Sequence, residues 1–160
     1  MENVATDLTN VVATSLPRLQ SIDESGSGAS REPGAWTHKQ VLGHLIDSAV
    51  NNHQRFVRAQ LGKELIFPSY EQDSWLAVQA YEERPWEQLV ELWAALNRHV
   101  AHVIGRIPSE RLQTPCRIGA GEPVTLDFLA RDYVWHLRHH LDQILTPAAA
   151  VGKKYHPLPQ

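Results

Sequence analysis

Leu126-Asp127-Phe128-Leu129-Ala130-Arg131-Asp132-Tyr133-Val134-Trp135-His136-Leu137-Arg138-His139-His140-Leu141-Asp142-Gln143-Ile144 is the stretch on which the fold turns. Its apolar residues recur at helical spacing over five turns. His136 and His140 stand four residues apart within it. On a helix two such imidazoles project from one face, one turn apart. That spacing can hold one metal ion between two nitrogens. The apolar lead-in implies that part of the helix is buried, and buried imidazoles need partners. An unpaired polar group in a core costs about 1–3 kcal/mol. A shared metal is one way to satisfy them; a solvated helix face is the plainer alternative.

Working upstream, a third imidazole is available at His44, in Gln40-Val41-Leu42-Gly43-His44-Leu45-Ile46-Asp47-Ser48, also helical by pattern. Three histidines from two helices leave a coordination position open, as reactive metal sites do. At about 100° per residue, Asp47, Ser48, Asn51 and Arg55 lie near the His44 meridian. The second helix thus presents a polar row flanked by Val41, Leu45 and Phe56. In the site reading, Asp47 or Asn51 orients an imidazole, and Arg55 binds a carboxylate further along the cleft. In the solvated-face reading, Asp47 and Arg55 pair with surface charges. Asp132, one turn before His136, is either a further ligand or an acceptor that orients one. His53 points away from His44 and is expected to be exposed. His139 lies about 100° around the helix from His140 and is left out of the ligand set. His99 and His102 lack a further ligand and are read as a helix surface.

Two other helices complete the pattern. One runs from about Val4 to Ile22, with Pro17 expected to kink or divide it. Residues 23–34 read as a flexible loop. The His44 helix starts near Thr37, with Gln40 completing a capping box, and stops near Gly62. A short helix is expected from Ser74 to Tyr81. A further long helix begins at Pro85, as a first-turn residue, and Pro108 ends it. Residues 114–123 form a loop or a short hairpin. The His136 helix begins after Val124 with Thr125 as cap, and ends before Pro147. The tail from Ala148 to Gln160 reads as loosely attached. Four amphipathic helices without a sheet make an all-α four-helix bundle, and such bundles build metal sites between facing helices.

Composition sets the outer limits. The 160 residues fit one domain spanning 1–160, with a motif-bearing core of about 36–145. A net charge of −3 and a pI near 6.3 argue against nucleic acid as partner. No apolar run reaches the ~20 residues of a membrane span. The acidic N-terminus is unlike a signal peptide, and the single cysteine, Cys116, excludes an internal disulfide; the expected location is cytoplasmic. Cys116 has no thiolate-stabilising neighbour in sequence and reads as incidental.

Trp36, His44-Leu45-Ile46-Asp47-Ser48 with Asn51 and Arg55-Phe56, and Tyr133-Val134-Trp135-His136-Leu137-Arg138-His139-His140 with Gln143-Ile144 together resemble the DinB/YfiT-like superfamily. The likeness spans about Trp36 to Leu145 and is nearest the YfiT-like branch, with its Trp-His-x-x-His-His element. It implies a four-helix bundle with a three-histidine metal site, whose ligands fall by motif on His44, His136 and His140, with zinc or nickel as the usual metal. It implies either a thiol-dependent S-transferase using a low-molecular-weight thiol such as bacillithiol or mycothiol, or a metal-dependent hydrolase. Many proteins of this kind are often dimeric, and exposed aromatics among Trp75, Trp86 and Trp93 would serve a homodimer interface. One departure stands out: Ala49 occupies a position where some relatives carry Glu or His, which puts the chemistry in question. The expected partner is a small electrophilic substrate, and the rival from another class is a metal-binding stress protein without turnover.

Overall fold

The computed structural model describes residues 1–146, and the expected loose tail lies outside them. Six α-helices are present: α1 (Glu2–Gln20), α2 (Glu24–Ser27), α3 (His38–Leu61), α4 (Gln72–Gln79), α5 (Trp86–Gly105) and α6 (Leu126–Leu145). Three short strands join them: β1 (Leu65–Phe67), β2 (Pro115–Ile118) and β3 (Val124–Thr125). The four long helices form the bundle. α1 packs mainly on α5 and α6, and α3 packs on the same two.

The cause is the apolar face of each helix. Leu8 and Leu19 from α1, Leu42, Leu45 and Phe56 from α3, Leu89, Trp93 and Ile104 from α5, and Leu126 and Leu137 from α6 are fully enclosed. Several polar atoms inside this core are paired where the helices cross, while Trp93 Nε1 has no hydrogen-bond partner among the described residues. Tyr133 Oη donates to Asn97 Oδ1 at 2.7 Å, and Asn97 Nδ2 donates to the Trp93 carbonyl at 2.9 Å. Trp86 Nε1 donates to the Leu19 carbonyl at 2.9 Å. Two of the three tryptophans expected at an interface are therefore core residues: Trp86 and Trp93 are 3% and 0% exposed, because their helical positions face inward. Trp75 reaches the surface, as does Trp135.

Several boundaries differ from the sequence expectations. Pro17 does not divide α1. It lies in the last turn, so the hydrogen bond it cannot donate is the only one lost before the helix stops at Gln20. The supposed loop after it contains α2, capped by Asp23, whose Oδ1 accepts from Gly26 N at 2.7 Å. Pro85 stands just before α5, at the cap, and the helix stops at Gly105, ahead of Pro108. The short helix runs two residues earlier than expected. The capping box at Thr37 and Gln40 is present in full, and Thr125 caps α6 through Phe128 N at 3.1 Å.

The small sheet was half foreseen. The hairpin of β2 and β3 is antiparallel, pairing Pro115 with Thr125 and Cys116 with Val124. β1 joins it in parallel, with Leu65 opposite Cys116 and Phe67 opposite Ile118. Three residues are too few to show an alternating pattern, so β1 has no signal of its own. β1 lies in the connection from α3 to α4, and β2 and β3 in the connection from α5 to α6.

Candidate metal centre

α3 and α6 lie side by side and place His44 against His136 and His140. The Nε2 atoms of His44 and His136 face each other 3.1 Å apart. Ring centroids are 5.0 Å apart for His44 and His136, 4.7 Å for His44 and His140, and 4.5 Å for His136 and His140. One nitrogen from each ring falls within 4.8 Å of the others. Ligands about 2.0–2.1 Å from a tetrahedral zinc would stand roughly 3.3 Å apart, so the donor set fits a divalent ion with little movement. His44 and His136 are buried and His140 is half-buried.

Burial decides the charge state of these rings. It pushes the His44 imidazole down to about 3, with the neighbouring His140 adding to the effect. Burial likewise takes His140 down to about 4, although Gln143 and His139 pull in opposite directions. His136 lies well below its ordinary value, through burial first and then through His140, His44, His139 and Arg55. Three neutral imidazoles side by side are three lone-pair donors, which is what a metal needs.

The rings are held by residues the sequence reading did not pick for that task. His140 Nδ1–H donates to Gln143 Oε1 at 3.1 Å, which leaves the Nε2 lone pair free for the cluster. Ser48 Oγ stands 3.5 Å from His136 Nδ1. Trp36 packs over the cluster, its ring centroid 5.2 Å from His44 and 6.5 Å from His140. The expected orienting groups do something else. Asp47 Oδ1 accepts from Tyr81 Oη at 2.7 Å and from Gln79 Nε2, while Asn51 Nδ2 donates to the Asp47 carbonyl at 2.9 Å. Neither touches an imidazole in these contacts, because Tyr81 and Gln79 arrive from the α4 side and claim the carboxylate.

The polar row on α3 is not a solvated face. Asp47, Ser48, Asn51 and Arg55 are all buried. Burial raises the Asp47 carboxyl against the lowering effect of Tyr81 and Gln79, and its Oδ2 has no partner. Asp132 is half-buried on α6 and acts on the charge of Arg55; it is outside the three-histidine group. Ala49 is enclosed among the apolar core residues. His139 packs on His140 at 5.1 Å and joins Gln143, clear of the cluster. His53 is only half-exposed and lies 5.0 Å from His99 across α3 and α5, a proximity that spacing on a single helix does not reveal. Cys116 is buried and its thiol is pushed up to about 11, so it stays protonated at neutral pH.

A cavity of about 480 Å³ opens beside the cluster, lined by His140, Gln143, Trp36, Val41, His38 and Arg31. It is the size of a small-molecule site. A wider, shallower groove of about 970 Å³ lies between the start of α1 and the outer face of α6, remote from the three ligands.

Residues 7–144 match the family model of the DinB superfamily. A protein of Oceanobacillus iheyensis named a putative metal-dependent hydrolase is 26% identical over 122 residues, covering 76% of this chain and 69% of that one. A Halalkalibacterium halodurans protein of the same description is 23% identical over 124 residues, or 78% and 72% of the two chains. Among solved structures, YfiT from Bacillus subtilis, described as a probable metal-dependent hydrolase with an unusual four-helix bundle topology, superposes with a TM-score of 0.76. It is 22% identical and covers 89% of this chain and 82% of its own. A mycothiol-dependent maleylpyruvate isomerase superposes with a TM-score of 0.74 at 15% identity, covering 92% of this chain and 61% of its own. At those identities the likeness to the solved structures is one of fold.

Proposed function

This chain belongs to the DinB superfamily, and from that premise we propose that it is a metal-dependent enzyme. In this reading it joins a low-molecular-weight thiol to a small electrophilic substrate. His44, His136 and His140 would hold the ion. Three neutral imidazoles suit zinc or nickel. A metal with an open position supplies Lewis acidity, which makes a water or thiol that reaches it nucleophilic at neutral pH.

The observation that carries the proposal is the convergence of three neutral imidazoles, two buried and one half-buried, beside a cavity of about 480 Å³. A hydrolase needs room there for one substrate and a water. A transferase needs room for two organic molecules, and the cavity of about 480 Å³ beside His140 supports that reading by its size. Trp36 shields the His44 and His140 rings, which keeps water from competing. Asp47, held on one oxygen by Tyr81 and Gln79, is in this reading the candidate proton acceptor, which the raised affinity of its carboxyl for a proton supports.

Hydrolysis is the second reading. It is favoured by the free carboxylate oxygen of Asp47 and by the names that the relatives carry. The test is turnover of zinc-loaded and nickel-loaded protein with a panel of low-molecular-weight thiols and a haloalkane or epoxide, against ester substrates in water alone. Metal-dependent thioether formation, rising with pH as the nucleophile ionises, is the expected outcome. Ester cleavage without thioether formation would replace the transferase reading by hydrolysis. Tight metal binding with neither activity would leave a metal-binding stress protein.

A further inference from the structure

Arg55 is 2% exposed, yet its Nε and Nη2 have no hydrogen-bond partner among the described residues. Those two nitrogens form one edge of the guanidinium, with parallel N–H bonds. Nη1 alone is engaged, donating to Asn52 Oδ1 at 3.4 Å, and the guanidinium carbon lies 5.4 Å from the centre of the Phe67 ring. Desolvation weakens this cation, and Tyr70 and Asp132 act in the opposite sense. The Tyr70 hydroxyl, from the loop between β1 and α4, is also buried and has no hydrogen-bond partner among the described residues. The charges of both Arg55 and Asp47 act on Tyr70. The guanidinium also acts on His136, one α6 turn from Asp132. Side chains on a helix lean toward its N-terminus, which brings Arg55 back toward the histidines.

We propose that Arg55 and the Tyr70 hydroxyl form a carboxylate-binding subsite at the far end of the polar row, so that a molecule reacting at the three-histidine cluster carries a carboxylate. The inference rests on the cluster being the reactive centre. A planar carboxylate matches the open Nε–Nη2 edge with two parallel hydrogen bonds, and the Tyr70 hydroxyl supplies a third donor. A carboxylate brings one negative charge and a phosphate dianion two; because the charges of Asp132 and Asp47 already act on Arg55 and Tyr70, the dianion is opposed more strongly. The carboxylate belongs either to the electrophile or to the thiol, and the two sources behave differently in the test.

The test reads the Arg55 Nε–H signal by nitrogen-15 NMR, assigned by its loss in Arg55→Lys, first in metal-free protein. Titration with butyrate is expected to shift that signal saturably, while butyramide leaves it in place and inorganic phosphate binds at least about tenfold more weakly. Arg55→Lys should weaken butyrate binding by about tenfold or more, which is about 1.4 kcal/mol, because Lys lacks the fork. Tyr70→Phe should weaken it severalfold while keeping native helicity. Mercaptoacetate and its longer homologues are then titrated into zinc-loaded protein. Binding at least tenfold tighter than butyrate that weakens about tenfold in Arg55→Lys assigns the carboxylate to the thiol, since zinc alone would hold the thiolate in either variant. Binding that Arg55→Lys leaves unchanged assigns it to the electrophile. No shift of Arg55 with any of these carboxylates, or butyrate affinity unchanged in both variants, overturns the subsite. Failure to take up metal while butyrate still shifts Arg55 would instead overturn the reading of the cluster.

Discussion

Gln143 is one residue on which the candidate centre depends. It sits nearly a turn beyond His140 on α6 and accepts the Nδ1 proton, so it fixes which nitrogen faces His44 and His136. Partners of this kind are worth about 10- to 100-fold in metal affinity. Gln143→Ala should therefore weaken zinc binding by about that factor, measured by competition with a chromophoric chelator. His140→Ala should abolish binding while circular dichroism stays helical. An unchanged affinity in Gln143→Ala would show that packing against Trp36 alone orients the ring. The three imidazoles were legible in the sequence because they share helix faces at spacings that survive without a structure. Gln143, Tyr70 and Trp36 act across turns or from loops. The neighbours of Tyr70 and Trp36 are set by how α3, α6 and the β1–α4 connection come together, which no local pattern records, whereas Gln143 meets His140 three residues back on the same helix. Asp47 shows the same limit: its place on the row was readable, but its partners Tyr81 and Gln79 come from another element.

Gly43 governs how that other element docks. A Cβ built on it would lie 2.2 Å from Cδ2 of Tyr81. The bare backbone lets the Tyr81 ring rest on α3, from where its hydroxyl reaches Asp47 one turn along. Ala80 adds to the geometry. It ends α4 in the left-handed region, with φ 48°, and turns the chain directly into Tyr81. In an exposed helix Gly→Ala stabilises by about 0.5–1 kcal/mol. Here overpacking, typically about 1–3 kcal/mol, opposes it and wins. Gly43→Ala should lower stability by roughly 1–2 kcal/mol in urea denaturation and free Tyr81 from Asp47, read as increased Tyr81 fluorescence or hydroxyl exchange. A gain in stability would mean that Tyr81 can shift without loss. The long helices themselves were readable from periodicity and caps, because each has an apolar face and Thr37 and Thr125 mark two starts. Of the sheet only the hairpin was readable, and that as an alternative to a loop, since its strands are two to four residues long and owe their form to each other.

At the scale of the whole molecule, metal and fold are separable. The core between α1, α3, α5 and α6 is apolar and closed without any ion, so a chelator should leave the helicity intact. It should nonetheless lower the melting temperature. A ligand at about 1,000 times its Kd stabilises by about 4.1 kcal/mol, and each kcal/mol moves a chain of this size by about 2–4 °C. Metal loading should then raise Tm by roughly 8–16 °C, and His140→Ala should remove that difference. The metal-free protein carries a pH signature of its own. His44 and His140 are held down to about 3 and about 4, and His136 is lowered too. In the unfolded chain the same rings titrate near pH 6.5. The unfolded state therefore binds more protons in acid, and stability rises with pH across that window. Metal-free protein should keep full stability above about pH 6.5 and lose it progressively as the pH falls toward 4 and then 3. In His140→Ala the loss should be shallower, because one of the buried rings that resists protonation is gone. Urea midpoints at stepped pH check this, and a midpoint that stays flat between pH 7 and 4 would mean that the rings are not held neutral by burial.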